Sequence, residues 1–153
     1  MPRIELQTVV LASPQACYDL ALNVQAHLDS TRQTGERVLH GPAGGQLGLG
    51  DVVTWEGRHF GFRQRLTVKI TATTPPAHFR DELVRGAFRT LCHDHYFEAV
   101  AGGTLMRDVF EFSCPAGLVG RWFERLYLTR YLTRLLSRRN AVLKQLLEAG
   151  GGA

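Results

Sequence analysis

Pro115-Ala116-Gly117-Leu118-Val119-Gly120-Arg121-Trp122-Phe123-Glu124-Arg125-Leu126-Tyr127-Leu128 opens a segment that runs to Glu148 with no further Pro and no Gly after Gly120. Leu132, Leu135, Leu136, Leu143, Leu146 and Leu147 continue it, so apolar residues return at steps of three and four, the mark of an amphipathic helix. At 1.5 Å per residue the segment makes a rod of roughly 50 Å. A rod of that length must lie across something wide. Followed at 100° per residue, its faces do not stay in line. Leu118, Trp122 and Leu126 share one side, with Arg121, Glu124 and Arg125 on another. Further on, Leu128, Leu132, Leu135, Val142 and Leu146 take the side those charges held, and Arg130, Arg134 and Arg138 face away. The pattern therefore predicts a short helix from about Ala116, a break near 123–129, and a long helix to about Glu148. Gly150-Gly151-Gly152 reads as a tail, with one domain over 1–149 and the tail over 150–153.

What precedes this segment reads as strands. Phe62 to Thr73 alternates most cleanly: Phe62, Gln64, Leu66, Val68, Ile70 and Ala72 on one face, Arg63, Arg65, Thr67, Lys69 and Thr71 on the other. That is the signature of an antiparallel sheet with one face buried. Val52 to Phe60, His78 to Val84, Phe88 to Val100 and Thr104 to Phe112 read as strands too, separated by Pro75-Pro76, Arg85-Gly86 and Ala101-Gly102-Gly103. Glu36 to His40 is a shorter candidate. Upstream, Ile4 to Leu11 is a strand. Ser13-Pro14 is a helix start with Ser13 as N-cap, leading into one helix or two short ones up to Asp29, with a turn over Asp29-Ser30-Thr31. The order is strand, short helices, about six strands, long helix. Without βαβ alternation a parallel sheet is not expected. The fold class is α+β: a curved antiparallel sheet of about seven strands, one face covered by the C-terminal helix.

At 153 residues the chain is one domain by length, and 44% hydrophobic with 21% charged excludes a disordered composition. Three Cys without short spacing (Cys17, Cys92, Cys114) argue against a disulfide framework or a zinc site and suit a reducing cytosol. Met1 to Leu6 shows no signal core and no apolar run reaches a membrane span, so the expected location is cytoplasmic. Of the net charge of +4, more than all sits on the final segment, with seven Arg or Lys against two Glu from Arg121 to Glu148. A solvated face is the expectation, with no nucleic-acid partner and no stable membrane insertion; docking on a partner or anionic lipid through Arg130, Arg134 and Arg138 is a third hypothesis. The five glycines of Gly41 to Gly50 lack the Gly-Lys-Ser/Thr ending of a phosphate loop and read as a hairpin connection. No cofactor is expected.

Strand parity places the chemistry. Trp55 and His59 share a face, as do Phe79, Asp81 and Leu83. So do Leu91, His93, His95 and Phe97, and so do Thr104, Met106, Asp108, Phe110 and Phe112. Each set carries bulky apolar groups and so points inward, yet each also carries an imidazole or carboxylate that a plain core does not need. Either these groups pair and hold the sheet, or they line a partly wet cavity and orient the polar end of an apolar ligand. A bulge would instead turn Cys92, Asp94 and Tyr96 inward. His93 and His95 sit one residue apart on one side of a strand, a geometry some metal sites use, with His59, Asp81 or Asp108 to complete it; no metal is expected. For acid–base chemistry the candidates are His93 or His95 with Asp108 or Asp81.

Thr54-Trp55-Glu56-Gly57-Arg58-His59-Phe60-Gly61, Phe79-Arg80-Asp81-Glu82, Gly86-Ala87-Phe88, His93-Asp94-His95-Tyr96-Phe97, Gly103-Thr104-Leu105-Met106-Arg107-Asp108, Pro115-Ala116-Gly117 and Arg139-Asn140-x-x-x-Lys144 together resemble the START-like or Bet v 1-like (helix-grip, SRPBCC) superfamily. More narrowly, they are similar to bacterial ligand-binding members grouped with polyketide cyclases. The resemblance implies seven antiparallel strands wrapped on a long C-terminal helix, two short helices after the first strand, and a cavity for lipids, polyketides or similar molecules. It carries two expectations: binding of a small hydrophobic ligand, or cyclase/aromatase-like catalysis. Trp55, Phe60, Phe79, Phe97, Met106, Phe110 and Phe112 are the expected walls. His59, Asp81, His93, His95 and Asp108 are the expected polar contacts.

Overall fold

The computed structural model describes residues 2–115 and 117–150, with Glu124 and Arg125 described by their backbone alone. β1 (Arg3–Val10) leads into α1 (Pro14–Ala21), α2 (Val24–Ser30) and a 3-10 turn (Arg32–Thr34). Then follow β2 (Arg37–His40), β3 (Val52–His59), β4 (Phe62–Thr74), β5 (His78–Arg85), β6 (Thr90–Val100) and β7 (Gly103–Ser113). The chain ends in α3 (Gly117–Phe123), a π-helical segment (Glu124–Leu128) and α4 (Thr129–Gly150). The strands form one antiparallel sheet in the order β1-β7-β6-β5-β4-β3-β2. The α+β helix-grip expectation holds.

Local chemistry sets the helices. Ser13 Oγ accepts from the Ala16 amide at 3.2 Å and caps α1, with Pro14 in its first turn. Asn23 Oδ1 accepts from the Ala26 amide at 2.9 Å and caps α2, so the stretch forms two helices. The turn expected over Asp29-Ser30-Thr31 lies further on: α2 runs through Ser30, because the Ser30 and Thr31 hydroxyls both donate to the His27 carbonyl and close the last turn. At the β3–β4 hairpin Phe60 and Gly61 have φ of 54° and 80°. This two-residue turn matches the strand twist but places a bulky ring in a conformation that favours Gly or Asn.

Register shifts of β4 against β5, at Thr67/Val68 and Ile70/Ala72, curve the sheet. Its concave face takes α4 through Leu132, Leu136, Leu143 and Leu147, all buried. The sequence pattern also puts Leu135, Val142 and Leu146 on that side, and Leu135 does pack there beside Leu132 and Leu136. Leu146 is instead 40% exposed. The buried stripe first steps by fours and so winds round the helix, as packing on a twisted sheet requires. The break expected near 123–129 is the π-helical segment. The first helix begins at Gly117, and Ala116 lies outside the described residues, as do 151–153 of the expected tail. Gly150 belongs to α4. Among the described residues, no helix is long and apolar enough to cross a membrane.

Candidate functional site

Sheet and helix do not close completely on one another. Between them lies a cavity of about 200 Å³. Its walls are mainly apolar, with Leu66, Val68 and Ile70 from β4, Leu91 from β6, and Leu132 and Leu136 from α4. Two polar clusters interrupt them.

The first lies on β5, β6 and β7 and meets α4. His93 and His95 alternate inward on β6, with ring centres 3.7 Å apart. Asp81 stands opposite His93 on β5, and Asp108 opposite His95 on β7. His93 Nε2 bonds Asp108 Oδ1 at 2.8 Å, and His95 Nε2 bonds Asp81 Oδ2 at 2.9 Å. The other His95 nitrogen, Nδ1, lies 3.2 Å from Asp108 Oδ1. From α4, Asn140 Nδ2 donates to Asp108 Oδ2 at 2.7 Å, and the Arg139 guanidinium is 3.6 Å from Oδ1. Burial alone would raise both carboxyls. Hydrogen bonds from His93 and His95 hold Asp108 well below the usual carboxylate range, and the His95 hydrogen bond lowers Asp81. Burial disfavours charge on both rings. For His95, hydrogen bonds to Asp108 and Asp81 outweigh it and raise the pKa; for His93, burial and then the His95 charge keep it low. The two carboxylates thus bias His95 toward its charged form beside Arg139, while burial biases His93 toward neutral. Neutral His93 donates Nε2–H to Asp108. Its Nδ1 makes no hydrogen bond among the described residues, and no buried side-chain polar atom there is left unpaired. That lone pair opens onto the cavity.

The second cluster joins α2, β3, α4 and the residue before β2. Glu36 accepts from His27 Nε2 at 2.6 Å, and His59 Nε2 lies 3.8 Å from its other oxygen. Tyr131 from α4 bonds His59 Nδ1, and His27 stacks on Trp55 at 3.9 Å. Burial lowers the His59 pKa, partly offset by Glu36. Gly57 makes the cluster possible: a Cβ there would lie 2.7 Å from Glu36 Cγ and 3.3 Å from His59 Nε2.

Of the sequence-derived site residues, Trp55, His59, Phe60, Phe79, Asp81, His93, His95 and Phe110 line the cavity. Asp108 stands behind the histidines and reaches it through them. Phe97, Met106 and Phe112 share the inward face but not the cavity. Phe97 and Met106 pack in a core with α1, where Tyr18 meets Phe97 at 5.7 Å, and Phe112 is fully buried beside Phe88. Cys92, Asp94 and Tyr96 remain on the outer face, where Asp94 pairs with Arg80 at 2.8 Å and His78 at 2.7 Å. Asp81, His93 and His95 offer donor atoms within 4.8 Å of one another. In this arrangement His95 Nε2 and Asp81 bond each other, so a metal would have to displace the His95 proton.

Among solved structures the chain resembles TTHA0849 from Thermus thermophilus, with a TM-score of 0.79, 14% identity, and 97% and 99% of the two chains covered. It also resembles CV1439 from Chromobacterium violaceum (TM-score 0.73, 16% identity, 97% and 99% covered) and major latex-like protein 151 from Panax ginseng (0.68, 15%, 94% and 95%). No family model and no curated protein matches the sequence. At these identities the likeness fixes the fold. It is the helix-grip fold of the START-like and Bet v 1-like proteins that the sequence motifs resemble.

Proposed function

We propose that the protein binds a small, mainly apolar molecule in the cavity, with a hydroxyl or similar donor group at the His93 end. The observation that carries this is an apolar cavity with a hydrogen-bonded His/Asp network in its wall, His93, His95 and Asp81 all lining it. Mostly apolar walls with a few placed polar groups are what small-molecule sites require. His93 Nδ1 accepts, and Asp81, half-buried on the cavity wall, accepts beside it; a donor on the ligand satisfies both. Native mass spectrometry of the purified protein should reveal a co-purified small molecule or uptake of an added apolar phenol. His93→Gln should weaken phenol binding about tenfold, the worth of roughly one hydrogen bond. A cavity that takes up no apolar probe sinks the reading.

A second reading has one specific observation in its favour. Asp108 orients His93 through Nε2–H and leaves Nδ1 free, the arrangement of a general base. Both nitrogens of His95 are engaged by carboxylates, so His93 is the better base of the two. Under this reading His93→Ala abolishes turnover of a bound substrate while probe affinity stays within a few-fold. Equal loss of both returns the assignment to binding.

A further inference from the structure

The cavity mouth carries apolar surface that the fold leaves uncovered. On α3 and the π-helical segment, Leu118 is 75% exposed, Val119 77%, Trp122 69% and Tyr127 64%. The β3–β4 hairpin adds Phe60 and Phe62, the latter 71% exposed. The two elements meet: Phe60 contacts Phe123 at 5.7 Å and Tyr131 at 4.6 Å between ring centres. Phe60 holds its ring there from a left-handed backbone conformation with φ 54°, and the ring stays about half exposed.

Around the hairpin turn and on α3 every charged side chain is an arginine; Glu56, further down β3, pairs with Arg37 and Arg65. Arg58 and Arg63 face each other across the hairpin, an unfavourable pair unless an anion lies nearby. Arg121 on α3 and Arg130 at the start of α4 are exposed as well. Neither 58–65 nor 117–123 contains an Asp or Glu. We propose that this mouth docks on an anionic phospholipid surface, with the α3 and hairpin side chains entering the interface and the arginines on lipid phosphates. Exposed Trp, Tyr and Leu amid Arg is the composition of an interfacial segment. A second copy of the chain fits less well, because an isologous contact sets the same arginines against themselves. Phe60, Phe88, Leu128 and Tyr131 line the cavity as well, so docking sets its mouth against the bilayer.

Trp122 reports the event. The other tryptophan, Trp55, is buried. Mixed with phosphatidylcholine vesicles containing about one third phosphatidylglycerol at low salt, the protein should co-sediment. Its emission should shift to the blue and be quenched by bromine on the lipid chains, none of which pure phosphatidylcholine reproduces. Arg58→Gln and Arg121→Gln should each lower the partition coefficient about fivefold. Leu118→Ser with Val119→Ser should abolish co-sedimentation while circular dichroism stays unchanged. The proposal is overturned by any of three results: no co-sedimentation, a blue shift produced by a free apolar probe without vesicles (α3 closing on its own cavity), or a concentration-dependent dimer that buries Trp122. Docking is read without ligand and probe uptake without vesicles, so either can fail alone.

Discussion

Asp108 takes hydrogen bonds from His93 and Asn140 and faces His95 and Arg139, all out of water. Asp108→Asn keeps the shape and removes the charge, so buried Arg139 loses its carboxylate and His95 keeps only Asp81. The expected loss is about 3–5 kcal/mol in urea unfolding; a change under 1 kcal/mol would show that the network does not depend on its charge. The histidines carry opposite pH signatures. The His93 pKa is lowered on folding, so the unfolded chain binds more protons, and its contribution is present above an ordinary value near 6.5 and lost as pH falls. The His95 pKa is raised, so its contribution is present below that value and lost as pH rises through the raised one. Asp81 and Asp108, both lowered, hold theirs until pH falls below the usual carboxylate range. Melting temperature followed from pH 5 to 9 should therefore peak near 6.5. In His93→Gln the acid-side decline should be shallower, with the alkaline side unchanged. Strand parity made His93, His95, Asp81 and Asp108 readable from sequence, since alternation alone aims them inward. Glu36 and His27 had no such signal, because they meet Trp55 and His59 only through the packing of α2 on β3. Arg139 had one: it lies on the stripe of Leu132, Leu136 and Leu143, where a solvated arginine has no place.

At the scale of elements, the phase slip between Leu118-Trp122-Leu126 and the later leucines located the break, which the structure resolves as a π-helical segment. The sequence did not show that the earlier apolar face would be left outside. Of α3, only Gly120 is buried. Amide hydrogen exchange should follow: α3 and Glu124–Leu128 fastest among the helices, and the turns around Leu136 and Leu143 slowest. Equal protection along the whole segment would mean one rigid rod. The hairpin turn makes a second test. Phe60→Asn removes left-handed strain worth about 1 kcal/mol or more and an aromatic contact of similar size from a half-exposed ring. The melting temperature should stay level or rise while vesicle binding falls. A clear drop in stability would assign Phe60 to the fold instead.

For the whole molecule, the helix-grip architecture was legible because only one element is long enough to cover the sheet. The strand order was less so: β1 pairs with β7, far along the chain, and no local signal states that. Nor does a sequence state whether sheet and helix close on each other. They do not, and the space of about 200 Å³ left between them would forgo about 5 kcal/mol of packing at roughly 24 cal/mol per Å³. A fold under no other demand would fill it, as larger side chains at Leu132, Leu135 or Ile70 readily would. Leu135→Phe puts a ring into that space from a half-buried position on the cavity wall. The added volume is far smaller than the cavity, so overpacking does not arise. Melting temperature should rise by a few degrees, since a gain of 1 kcal/mol is worth roughly 2–4 °C in a domain this size, and uptake of an apolar probe should fall at least tenfold. Higher stability with lost binding would mean the opening is kept for an occupant at the expense of the core. Lower stability with binding intact would place the ring outside the cavity and remove that argument.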